Sequence, residues 1–164
     1  MKLDDLHDLP QWEDDHFKQH EDGEQWKYRN KKQRAKALYN QWRQVYLLVN
    51  GLLSILEPED ETPENYLESM KEMICGDAML VCAKIQGAEA GDMYVLRMEN
   101  ASFIRASANS IYISMSSFRM MGIADDSHLD AVRREIDIFR NLFKAWVNGF
   151  EKDEFEDEWG LFKQ

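Results

Sequence analysis

Proline occurs three times in 164 residues, at positions 10, 58 and 63, and glycine eight times. Breakers this sparse leave room for long uninterrupted helices. Cysteine is scarcer still: Cys75 and Cys82 are the only two. Seven residues apart on a helix, their Cα atoms would stand roughly 10 Å apart, too far for a disulfide. Two core thiols in a reducing compartment, the cytoplasm, are the expectation. Long apolar runs are also missing. The longest, Val45 to Leu56, is broken by Asn50, Gly51 and Ser54, and falls short of the ~20 residues a membrane helix needs. The first 25 residues are acidic without an apolar core, which argues against a secretory leader. Positive charge is in deficit, 20 Lys and Arg against 31 Asp and Glu, for a net charge of −11. A surface so negative repels polyanions, so neither nucleic acid nor anionic membrane is an expected partner.

What the chain does have is hydrophobic periodicity. Ala35, Leu38, Trp42, Val45, Val49, Leu52 and Leu56 form one seven-residue ladder, and Leu129, Val132, Ile136, Phe139, Phe143, Trp146 and Phe150 form another. Steps of three and four put each ladder on one side of an α-helix, in the pattern that packs helices nearly parallel or antiparallel. The expected fold is all-α, an up-down-up-down four-helix bundle in a single domain spanning residues 1–164. Residues 1–23 read as a polar arm anchored by Trp12 and Phe17, 24–150 as the core, and 151–164 as an acidic tail with an aromatic end.

The first helix is predicted from Glu24 to Leu56, ended by Pro58 and a run of acids. Thr62-Pro63 reads as the cap and first turn of the second, which places Leu67, Met70, Ile74, Val81, Ile85 and Ala88 on one side. A Gly87-to-Gly91 turn makes helices two and three antiparallel neighbours, with Asp92 expected to cap the third. Gly122 suits the end of helix three, and Ser127 with Asp130 the start of helix four.

Helix three is short of charge. Its expected core stripe is Met93, Leu96, Phe103, Ile104, Ile111, Met115 and Phe118. Roughly opposite lie Val95, Ser102, Ala106, Ser110, Ile113, Ser117 and Met120, small or apolar where charges belong on a solvated face. A helix without a charged outer face is usually covered on both sides, and the expected partner is a second copy, as a homodimer. The segment Trp159-Gly160-Leu161-Phe162 is a further expected docking element for a protein partner.

Chemistry could reside in four places. The first is a basic stretch, Lys27, Arg29, Lys31, Lys32 and Arg34, continued by Lys36 and Arg43 without an acid. With Trp26, Tyr28 and Tyr39 to stack on bases it could make an anion- or nucleic-acid-binding module. In an up-down-up-down bundle, however, the acidic tail emerges beside it, and mutual neutralisation is the plainer expectation. The second is Glu13, His16 and His20, which on a helix would share one side as a zinc or iron ligand set. Glu13-x-x-His16 resembles half of a ferritin-like di-iron site, but it occurs once and outside the ladders.

The third is Glu61-Thr62-Pro63-Glu64 followed by Glu89-Ala90-Gly91-Asp92. This spacing resembles the paired carboxylate motifs of all-α nucleoside triphosphate pyrophosphohydrolases of the MazG and dimeric dUTPase type. The resemblance covers eight positions and implies a metal-dependent enzyme whose carboxylates hold magnesium ions against a triphosphate. Pro63 and Gly91 nevertheless put the two motifs at opposite ends of a helix about 40 Å long, so they could meet only between subunits. The fourth is a buried polar cluster of Asp77, Arg97, Glu99, Asn100 and Arg105, with Asp77 expected to pair with Arg97 or Arg105 across helices two and three. Such a cluster either fixes helix register or lines a small-molecule cleft. No nucleophile–base pair, glycine-rich phosphate loop or Cys-x-x-Cys pair accompanies it. No cofactor is expected, and the leading expectation is a non-catalytic interaction protein.

Overall fold

Where apolar residues recur at steps of three and four, the chain is helical. The structure is a computed structural model and describes residues 9, 11–13, 25–57 and 64–162. Among these it forms four α-helices: α1 Gln25–Ile55, α2 Glu64–Glu89, α3 Tyr94–Met121 and α4 Asp126–Val147. Each packs on the next in the chain, and α1 closes the ring against α4. The result is the expected up-down-up-down helical bundle.

Every residue of the first ladder is buried. On α4, Leu129, Val132, Ile136, Phe139 and Trp146 are buried, while Phe143 and Phe150 are partly covered. The Trp42 and Phe139 rings meet at 4.7 Å, and the Trp42 indole N–H donates to the Ala78 carbonyl at 2.8 Å. The ring contact joins α1 to α4, and the bond joins α1 to α2 and satisfies a polar atom that would otherwise be costly to bury. Cys82 is buried and Cys75 partly so; burial pushes the Cys82 thiol up to about 12 and raises the Cys75 thiol as well. The Tyr39 phenol, desolvated in the same core, is also pushed up to about 12.

The helix ends depart from the expected ones. Met93 and Asp125 occupy the N-cap positions of α3 and α4, neither with a side-chain cap bond. Ser127 donates to the Asp125 carboxylate, and Asp130 accepts from Arg119. The backbone amide at the start of α3 is satisfied from far along the chain: Tyr94 N–H donates to Asp153 at 2.7 Å. A carboxylate there also faces the positive end of the helix. Gly122 ends α3 as expected, with φ of 69° and its N–H bonded to the Arg119 carbonyl. Thr62 and Pro63 lie outside the described residues.

The expected core stripe of α3 needs a correction. Ile104, Ile111, Met115 and Phe118 are buried, but Met93, Leu96 and Phe103 are exposed. The buried line is Arg97, Ala101, Ile104, Ala108, Ile111, Met115 and Phe118. This is an unbroken sequence of four- and three-residue steps, which rotates Leu96 and Phe103 out toward the flank of α2.

Candidate functional site

The short turn between α2 and α3 brings Glu89, the last residue of α2, beside Arg97 in the first turn of α3. Arg97 Nη2 lies 2.5 Å from Glu89 Oε1, and the same oxygen accepts from the Trp146 indole N–H at 2.9 Å. Asp92 approaches Arg97 Nη1 at 3.7 Å, and the Phe150 ring lies 4.3 Å from the guanidinium carbon. Both members of the Glu89–Arg97 pair are nearly covered. Burial raises the Glu89 pKa, while Arg97 and the Trp146 N–H pull it down again by favouring the carboxylate. Arg97 Nε is buried without a hydrogen-bond partner. Two donors converge on one carboxylate oxygen and an aromatic ring lies over the cation, so Glu89 and Arg97 answer each other's charge within the cluster. It fastens α2, α3 and α4 at one end of the bundle.

The expected polar cluster is therefore rearranged. Arg97 pairs with Glu89 rather than Asp77, because the tight turn puts those two at the same level while Asp77 lies three turns further down α2. Asp77 is partly covered, and Glu99 and Arg105 are exposed. With the buried line of α3 running through Arg97 and Ala101, Glu99 falls on its outer side near the start of the helix, and Arg105 on the flank that Tyr112 and Ser116 turn toward α4. Asn100 donates back to the Leu96 carbonyl within its own helix. Neither Glu89 nor Trp146 stood out as a partner of Arg97 in the sequence. The readable signal was the eight-residue separation across a link too short to keep them apart.

The basic stretch occupies the start of α1, at the end of the bundle where the tail leaves α4. Lys31 lies 3.4 Å from Glu151, and the Arg34 guanidinium lies close against Gly149. Lys27 sits 5.8 Å from the Trp26 ring, and Lys32 also has an interaction partner. Arg29 is exposed. The start of α1 and the tail thus partly neutralise one another.

Among the described residues, the two acidic motifs are separated by the length of α2. Glu64 and Glu89 are the first and last residues of α2, Glu89 is held by Arg97, and Asp92 is on the Arg97 side. Glu61, His16 and His20 lie outside the described residues, and Glu13 is exposed. Among the described residues, no group of three or more His, Cys, Asp or Glu converges as a metal site. No helix among them is long and apolar enough to cross a membrane.

A further surface feature is the outer side of α3. Ala106, Ile113 and Met120 are exposed, Ile113 and Met120 at 55% and 88%, and Ser102, Ser110 and Ser117 are partly covered beside them. Leu80 and Phe103 continue this surface onto the seam with α2, where the Lys84 ammonium sits 4.5 Å from the Phe103 ring. The chain matches no protein-family model, no curated protein and no solved structure.

Proposed function

We propose that this is a non-catalytic cytoplasmic helical-bundle protein that acts by protein–protein association, beginning with a homodimer through the outer side of α3. The observation that carries the reading is the exposed run Ala106, Ile113 and Met120 with Ser102, Ser110 and Ser117 between. A molecule of net charge −11 repels its own copies, so two copies approach most cheaply through a surface short of charge. Small residues there allow close helix contact, and Ile113 and Met120 supply apolar area to bury.

Sedimentation velocity from low to high micromolar concentration tests it. The expected result is a concentration-dependent dimer that Ile113→Glu converts to monomer without loss of helical signal. A wild-type chain that stays monomeric throughout that range sinks the proposal.

A further inference from the structure

Beside the exposed line of α3, α2 carries one of its own. Met73, Gly76, Leu80, Ala83 and Gly87 recur at steps of three and four, all exposed and uncharged. Of the charged residues alongside, Asp77 and Lys84 are partly covered, and Glu72 falls on the α1 side of the line. Glycine in the middle of a helix lowers its stability relative to alanine, and at Gly76 nothing in the chain asks for it: a Cβ there would meet no atom within 4 Å. One copy leaves that bare backbone unexplained, whereas the close approach of a second helix requires it. Area points the same way. Ile113 and Met120 on α3 offer on the order of 150 Å² of apolar side chain, far below the roughly 800 Å² per partner of an ordinary interface. Met73, Met79, Leu80 and Phe103, also exposed, roughly double it. From Ser69 to Gly87 α2 runs about 27 Å, and two adjacent helices are about 20 Å across. The joint face therefore has the footprint of a dimer interface, which α3 alone lacks. α1 exposes Leu47, Leu48 and Ile55 as well, but it lies diagonal to α3 in the ring and does not extend its surface.

We infer that the homodimer interface is two helices wide, with α2 of each copy lying antiparallel on α3 of the other. The levels are read from the chain itself. Lys84 lies over the Phe103 ring at 4.5 Å, and a Cβ on Gly87 would meet Asn100 at 3.7 Å, so each step up α2 is matched by a step down α3. A two-fold axis parallel to the helices keeps those levels between copies. It sets Leu80 of one copy against Ala106 of the second, Phe103 against Ala83, and Gly76 against Ser110. At each of these contacts one member is small. The exposed acid Glu99, one turn from Phe103, then comes within a turn of the second copy's Lys84, twice by symmetry. The inference rests on the association proposed above and deepens it by naming the other half of the interface.

Sedimentation equilibrium on the full chain tests it. Gly76→Leu is expected to weaken the dimer at least tenfold, while its helical signal and its urea midpoint at low concentration do not fall. Gly51→Leu, at an exposed and equally open glycine on α1, is expected to leave the dimer unchanged. Lys84→Glu and Glu99→Lys are each expected to dimerise about tenfold more weakly alone. An equimolar mixture of the two should recover the dimer as a heterodimer, because opposite charges then meet only across the interface. A Gly76→Leu dimer as tight as wild type, beside a monomeric Ile113→Glu, overturns the inference and leaves the α3 association standing. Loss of the dimer in Gly51→Leu with Gly76→Leu unaffected moves the interface to α1 and overturns it too. A mixture no tighter than its components overturns the stacking of α2 on α3. A monomeric wild type removes both proposals together.

Discussion

Arg97 stands at a position where the packing of α3 calls for an apolar side chain. It is tolerated because its charge is answered by Glu89, its guanidinium lies over the Phe150 ring, and the Glu89 oxygen is shared with the Trp146 indole. Buried pairs of this kind add little net stability over an apolar substitute, but removing one member leaves the other charge uncompensated. Glu89→Ala orphans both the guanidinium and the indole N–H. The expected loss is about 3 kcal/mol, read from urea unfolding at pH 7. Glu89→Gln keeps an acceptor oxygen and is expected to lose less. The two proteins should also differ in pH dependence. Because burial raises the carboxyl pKa in the folded state, the folded chain binds the proton more tightly than the unfolded one. The carboxyl's contribution to stability is therefore full at low pH and declines as pH rises through the window above the ordinary value of 4.5. The stability of the wild type relative to Glu89→Gln should fall between pH 4 and 7. A difference that grows with pH across that window would reverse the sign of the burial effect.

At the scale of helices, what could be read in advance followed the size of the side chains. The ladders of α1 and α4 contain large residues at nearly every step, so their buried faces were legible in the spacing. The buried line of α3 is equally regular, but Arg97, Ala101 and Ala108 fill three of its steps. Leu96 and Phe103, bulkier and one position away, drew the stripe to the wrong flank. Periodicity weighs hydrophobic mass, whereas packing obeys geometry and accepts a charge whose partner is close. Caps were obscure for a related reason. Asp92 is next to α3 in sequence, but the group that bonds to the α3 start is Asp153, 59 residues beyond Tyr94. Only the return of α4 to that end of the bundle brings it there. The same bond yields a prediction for the element. Asp153→Ala should cost about 1 kcal/mol, the usual worth of a helix cap, and should speed hydrogen exchange at the Tyr94 amide. Asp153→Asn, which keeps an acceptor but not the charge, should fall between. Unchanged exchange at Tyr94 in the alanine variant would mean that the cap contributes nothing.

For the molecule as a whole, the ring order of four helices has an electrostatic consequence. Up-down-up-down connectivity returns the end of α4 to the start of α1, so the most basic segment and an acidic one share an end of the bundle. The Lys31–Glu151 pair and the approach of Arg34 to Gly149 are two of the contacts there. Each is weak by itself, since exposed ion pairs contribute roughly 0–1 kcal/mol. Their collective effect is on what the surface can bind. Deleting residues 151–164 removes six acids and two lysines, taking the net charge from −11 to −7, still well negative. Yet the deletion strips the counter-charge from the one end where the cations cluster, and at physiological salt fields reach only about 8 Å. Local rather than net charge should therefore decide. The shortened chain is expected to bind a polyanion such as heparin with an affinity that falls steeply with salt, and the full chain to bind it at least tenfold more weakly. Lys31→Glu with Arg34→Glu in the shortened chain should abolish the gain, which ties it to the α1 start rather than to the change in total charge. Equal binding by full and shortened chains would show that the tail does not shield this end, and that the cations of α1 are answered by other groups.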